Sequence, residues 1–369
     1  MDLYIPYICI YSVAAGSFVA GYYNVKKHQT RIIMLFLAIL FTLFRGLRWE
    51  TGTDWVQFLD VFNEASFSNI FSFSRGGSDI LLEPGFVFIN SIFQQYTHSY
   101  TAFLLFYNAV ILLIFYKISW EYAPKNPVCI FVILLLFDLI FPLRNSWALS
   151  LFLLSVKYIQ SREFIKYSLI ILLAASIHIT VLYLLPFYFL LNKVYPTKLL
   201  IGIYILCAFI ACSPIINLIV EGFTVLIAPI VGVDSDFIMK VIYYSTYDRG
   251  IEVTWISFFA SMARGFLFAY LFYIFKERFK DNPYYNIYYN CFFVSLFMVI
   301  LFKFQFQEFI RMAAYFYYGT FILQGFILTK LKKTNRIIFY SVLILYSGYT
   351  IWYQINLFPN AFLPYKSVF

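Results

Sequence analysis

Eleven runs of apolar residues divide this chain, near 3–23, 31–47, 99–117, 127–142, 144–160, 167–191, 199–219, 254–275, 284–303, 309–329 and 336–356. A helix needs about 20 such residues to cross the hydrocarbon core of a bilayer. In lipid, every backbone N–H and C=O must be satisfied within the protein, so spans of this kind fold as helices or closed barrels. With 62% hydrophobic and 12% charged residues, the chain cannot build a water-facing surface, and it is far too apolar for disorder. The expectation is an all-α fold: one polytopic membrane domain over residues 1–369, a helical bundle of about 10–12 transmembrane helices.

Charge placement orients the runs. Lys and Arg number 27 against 18 Asp and Glu, and the excess falls in short loops, as the positive-inside rule requires, rather than in a nucleic-acid-binding patch. Lys26, Lys27 and Arg31 place the first loop inside. Lys117 with Lys125, then Lys157, Arg162 and Lys166, then Lys276, Arg278 and Lys280, and finally Lys330, Lys332, Lys333 and Arg336 mark later inner loops. Two larger segments, 48–98 and 220–253, then lie outside with the acids Asp54, Asp60, Glu64, Asp79, Glu83, Asp234, Asp236, Asp248 and Glu252.

Both termini fall outside, which requires an even number of crossings. Either 220–242 adds a crossing, giving twelve, or 167–191 is broken or re-entrant, giving ten. Twelve is favoured because 167–191 is long enough for a full crossing. The first run follows Asp2 without a basic leader and is expected to remain as a helix. The five cysteines lie in or beside apolar runs, lack metal-ligand spacing, and are taken as packing residues.

Ionisable groups at membrane depth are costly and point to function. Arg45 and Arg48 stand three apart where the second run ends, a spacing that shares one helix face. Arg144 follows Pro142 at an outer turn, Arg311 follows Glu308 near an outer helix start, and Arg264 lies mid-run. Arginines gathered near one leaflet suit a phosphate-bearing anion, because the guanidinium fork pairs with phosphate oxygens and stays charged when buried. Individually, each could also snorkel or pair with an acid. Asp54 after Gly52-Thr53 is suited to capping a helix over 55–65. Glu83 precedes Pro84-Gly85 at a turn back towards the membrane, and His178 lies inside an apolar run between Ser176 and Thr180. There is no phosphate-binding Gly-rich loop, zinc-protease motif, nucleophile elbow or Cys-His set, so nucleotide and zinc chemistry have no support.

In this order, Arg45 and Arg48 before Gly52-Thr53-Asp54, Glu83-Pro84-Gly85, Arg144-Asn145, Ala175-Ser176-Ile177-His178 and Arg311 before an aromatic helix resemble the EpsG-like family of Wzy-type bacterial polysaccharide polymerases. The chain departs from many relatives in carrying Trp55 where they have Tyr. The resemblance implies a GT-C-like architecture in the bacterial inner membrane, with a site facing the periplasm or outside. It implies substrates that are oligosaccharide repeat units on undecaprenyl pyrophosphate, with a chain-length regulator and a flippase as partners beside membrane lipid. An acceptor hydroxyl attacks the anomeric carbon of the donor chain and lipid pyrophosphate leaves, without nucleotide sugar, cofactor or metal.

On that basis Arg48, Arg144 and Arg311, backed by Arg45 and Arg264, are expected to hold the pyrophosphate. Asp54, His178 and Glu83 are candidates for the base, with Asp54 placed first. Rival functions are an O-antigen ligase, a flippase for the lipid-linked unit, and a purely structural assembly subunit.

Overall fold

The computed structural model describes residues 2–22, 26–74, 81–138, 143–231, 253–306 and 309–369. Most of these residues are helical, with two isolated β-bridges and no strand among them. The helices are α1 (Ile5–Tyr22), α2 (Lys27–Gly46), α3 (Trp55–Glu64), α4 (Pro84–Thr97), α5 (Tyr100–Tyr122), α6 (Pro127–Phe137), α7 (Leu143–Gln160) and α8 (Phe164–Ala175). A 3-10 segment (Ile179–Phe187) leads into α9 (Tyr188–Leu191), α10 (Thr197–Ala211) and α11 (Ile215–Val231). The chain ends with α12 (Trp255–Lys276), α13 (Pro283–Leu301), α14 (Ile310–Lys330), α15 (Lys333–Leu357) and α16 (Pro359–Phe362). Proline opens α4, α6 and α13, where its missing N–H costs nothing. Ser99, Thr254 and Asn282 cap α5, α12 and α13 through their side chains.

This is an all-α polytopic membrane protein. Among the described residues, α2, α5, α12 with its 3-10 extension, and α13 are long and apolar enough to cross a bilayer. A fifth span is formed if α10 and the first part of α11, bent by 99°, count as one. Other apolar runs become shorter helices: α6 has 11 residues and α8 has 12. The 167–191 run is broken, as the ten-crossing scheme requires and against the unbroken crossing on which the preference for twelve rested: α8 stops at Ala175 and the chain turns through Ser176-Ile177-His178 into the 3-10 segment. Of the extra crossing considered at 220–242, residues 220–231 belong to α11 and the rest lies outside the described residues, as do Arg75, Asp79, Pro142, Asp234, Asp236, Asp248, Glu252 and Glu308.

The chain forms two compact units, residues 1–185 with 324–369, and residues 186–323. In the first, α6 is the central element. Every side chain from Val128 to Leu136 is at most 1% exposed, as expected of a helix that is apolar all round. It packs against α1, α2, α5 and α15, while α2 runs along α5 and α7 along α8. Lipid offers no hydrophobic drive between helices, so polar ties and close packing matter more there. Tyrosine supplies many of them: the hydroxyls of Tyr107, Tyr122, Tyr167 and Tyr340 donate to the carbonyls of Leu143, Leu153, Leu184 and Ala15. In the second unit, α10 and α12 pack on α13 around Tyr204, Ala208, Phe258 and Ile300. Asn290 there donates to the carbonyls of Leu191 and Lys193, both at 2.7 Å.

Candidate functional site

Residues 48–74 and 81–98 hold the polar centre of the first unit. After α2 the chain turns through Gly52, whose φ of 115° lies in the region that favours glycine. It then enters α3, which packs on α4 with Trp55, Phe58, Phe62, Phe86 and Val87 buried. Glu83 stands at the N-cap position of α4, yet its side chain makes no capping bond. It points instead to the break in the 167–191 run.

Arg144, the Ile179 amide and His178 all meet the Glu83 carboxylate, which is 5% exposed. Arg144, in the first turn of α7, pairs with Oε2 through Nη1. The Ile179 backbone N–H donates to Oε1 at 3.1 Å. His178 Nδ1 lies 3.7 Å from Oε1, too long for a hydrogen bond but within reach of an ion pair once the ring is protonated. The break is what makes this possible: it releases the Ile179 N–H from helical bonding and turns the His178 side chain towards the start of α4.

The two elements are drawn together at Gly85. Phe86 N–H donates to Ser176 O at 3.1 Å, and a Cβ on Gly85 would lie 2.7 Å from that carbonyl and also collide with Ser176 Oγ. Only glycine fits this approach. Arg144 is further held between aromatic rings, 5.4 Å from the centroid of Phe58 and 5.6 Å from that of Phe86. It is 18% exposed, and His178 22%, so both face an accessible space while Glu83 lies behind them.

Arg48 is 2% exposed and lies beyond the end of α2, beneath the C-terminal tail. Arg48 and Ser367 form an antiparallel bridge. Trp49 N–H donates to Lys366 O at 3.0 Å, Val368 N–H to Leu47 O at 3.0 Å, and Gly52 N–H to Ala361 O at 2.7 Å. Tyr365 stacks on Phe44 and donates to its carbonyl. Burial lowers the Arg48 guanidinium to about 10, partly offset by Tyr100 beside it, so it remains a cation at neutral pH. Rings connect this region to Arg144: Tyr100 and Trp49 both pack on Trp55, and one turn along α3 Phe58 packs on Phe86.

The other candidates are placed differently. Arg45 pairs with Asp138 at 2.7 Å, and both are almost completely buried. Asp54 precedes α3 and is exposed; its carbonyl accepts from Phe58 N–H, but its side chain makes no cap bond, so capping does not account for it. Arg264, on α12, and Arg311, at the start of α14, belong to the second unit and are exposed. Arg264 acts electrostatically on half-buried Lys303.

Sequence reasoning missed Asp138, although an acid inside an apolar run is itself a signal. It also missed Lys303 and the tail, whose backbone contacts leave no trace in residue type.

In comparison with known proteins, the model of the EpsG family matches residues 31–367. No curated protein and no solved structure matches the chain.

Proposed function

We propose, from the premise that this chain belongs to the EpsG family of Wzy-like polysaccharide polymerases, that it joins oligosaccharide repeat units carried on undecaprenyl pyrophosphate. The reaction would take place at the outer face of the bacterial inner membrane and release the lipid pyrophosphate. The observation that carries this reading is the group Glu83, Arg144 and His178: a buried carboxylate holding a partly exposed guanidinium and imidazole side by side.

In the proposed step the acceptor hydroxyl oxygen bonds to the anomeric carbon of the donor, and the bond from that carbon to the pyrophosphate oxygen breaks. The electron pair leaves with the lipid pyrophosphate, and the hydroxyl proton passes to a base. Arg144 uses one Nη on Glu83, and the rest of its fork is directed to the departing pyrophosphate. A preorganised donor aimed at developing charge in a water-poor site contributes about 3 kcal/mol of transition-state stabilisation. Arg48, buried beneath the tail with Tyr100 near it, supplies a second positive charge. Arg45, compensated by Asp138, supports the exit of α2.

His178 is the base this reading prefers over Asp54. A ring with Nδ1 turned to a carboxylate presents Nε2 as acceptor, and the carboxylate stabilises the imidazolium that forms. Glu83 is already committed in this reading, paired with Arg144 and accepting from the Ile179 amide. Guanidinium groups supply the positive charge that a metal ion would otherwise provide, so the proposed reaction needs no metal.

The test is reconstitution of the purified protein in vesicles with an authentic repeat unit on undecaprenyl pyrophosphate. A ladder of new glycosidic bonds formed without lipid A supports the polymerase. Movement of the unit across the bilayer without bond formation would make the protein a flippase. Transfer only to a lipid A core would make it a ligase.

A further inference from the structure

The inner ends of α2 and α5 form a cleft of about 420 Å³ lined by Lys27, Arg31, Tyr116, Lys117 and Trp120. The two helices run antiparallel and pack along their length, so the basic loop before α2 meets the basic end of α5. Lys27 and Arg31 are one turn apart on α2, and Lys117 faces them from α5. All three charged residues in the lining are cations, and none of them makes an ion pair among the described residues. The acid nearest in sequence, Glu121, does not line the cleft.

Trp120 organises this charge. Lys27 Nζ lies 5.8 Å and Arg31 Cζ 5.7 Å from the centroid of its indole, within cation–π range. Trp120 offers its ring face to the two cations, while its Nε1 is buried away from the cleft. A concave site with three cations that no acid compensates among the described residues is suited to an anion.

The surface beyond the cleft indicates which anion. One turn deeper on the same helix faces, Arg31 is followed by Leu35 and then Ile39, and Lys117 is preceded by Leu113. These side chains are 42%, 60% and 53% exposed. The cationic cleft therefore opens onto an apolar track leading towards the membrane interior, the arrangement a phosphodiester headgroup with attached acyl chains would occupy. A free phosphate would use the cleft and leave the track bare. We propose that this cleft binds the headgroup of an anionic phospholipid, with Lys27, Arg31 and Lys117 on the phosphate and the acyl chains along Leu35, Ile39 and Leu113. Basic pockets between transmembrane helices on the cytoplasmic side are suited to such headgroups.

The experiment uses the full chain in nanodiscs of phosphatidylcholine containing a fraction of phosphatidylglycerol or phosphatidylcholine brominated on the acyl chains. Bromine quenches nearby tryptophan, and the Trp120 contribution is the difference between the unaltered protein and Trp120→Phe. Quenching of that component by brominated phosphatidylglycerol should exceed quenching by brominated phosphatidylcholine at least threefold. The preference should vanish in Arg31→Gln/Lys117→Gln and persist in millimolar inorganic phosphate.

Equal quenching by the two headgroups would overturn the proposal, as would a preference unchanged by the double substitution. Displacement by inorganic phosphate would replace the lipid with a soluble anion. The headgroup comparison on unaltered charges decides the matter even if the double variant cannot be recovered.

Discussion

Glu83 and Arg144, 61 residues apart in sequence, meet as an ion pair between the starts of α4 and α7. The carboxylate is the more deeply buried partner, and it also accepts from the amide that the break after α8 releases. One acid thus ties three elements together while keeping an arginine and a histidine at an accessible edge. The proposed chemistry depends on this arrangement.

Glu83→Gln keeps the shape of the side chain and the bond from Ile179 N–H but removes the charge that fixes Arg144 and His178. Removing one partner of a buried pair costs about 3–5 kcal/mol, less where the isostere still accepts a hydrogen bond. Polymerisation should fall about 100-fold or more, while the protein is still recovered in the membrane. Rate per mole of purified protein, beside thermal unfolding in detergent, checks this.

Gly85→Ala places a methyl group against both the carbonyl and the hydroxyl of Ser176. The start of α4 must then move off the break and carry Glu83 from the Ile179 amide. Overpacking of this kind costs about 1–3 kcal/mol. Gly85→Ala should lower the unfolding temperature and the coupling rate together. Adding Ser176→Ala should not restore either, because the backbone carbonyl remains in the way.

For Arg45 and Asp138 the account predicts a stability effect. Arg45→Ala or Asp138→Ala alone leaves a buried charge, at a cost of about 3–5 kcal/mol, whereas a well-packed apolar pair is often neutral. Arg45→Met with Asp138→Leu should therefore recover most of the abundance lost in either single variant, as read by fluorescence-detected size exclusion.

The tail contacts around Arg48 predict a contrast between two changes. Lys366→Ala removes an exposed pair with Glu50 and should change stability by less than about 1 kcal/mol. Deleting residues 363–369 removes the backbone bonds from Trp49 and Val368 and uncovers Arg48; coupling should fall at least tenfold. Arg48 also sets a pH expectation. Its folded pKa of about 10 lies below the ordinary 12.5, so the unfolded state holds this proton more tightly. The buried charge costs stability below pH 10, and that cost is relieved as pH rises through 10 to 12.5. The cation itself is retained up to pH 9, so Arg48 should impose no loss of activity below that.

Much of this was legible in the sequence, for identifiable reasons. The helical class followed from apolar runs in a chain with few charges. Arg48, Glu83, Arg144 and His178 stood out because charge is rare in such a chain, and the structure gathers Glu83, Arg144 and His178 in one place. The break at residues 176–178 was not decidable, since Ser-Ile-His carries no strong turn signal and the flanking residues are uniformly apolar. Pairing was equally hidden: Arg45 as a lone residue suggests a ligand, and only the fold shows Asp138 beside it. Asp54 drew attention as the first candidate base, with helix capping as its structural alternative, and its side chain makes no capping bond.

The most direct measurement is release of undecaprenyl pyrophosphate and growth of the polymer ladder by purified wild type, Arg144→Lys and Arg144→Ala, at matched abundance and unfolding temperature. Lysine keeps the charge but loses the fork that reaches Glu83 and the pyrophosphate together. The account predicts a rate lowered about 100- to 1,000-fold in Arg144→Ala, with Arg144→Lys between it and wild type. A folded Arg144→Ala protein that releases lipid pyrophosphate and extends the ladder at the wild-type rate would contradict it.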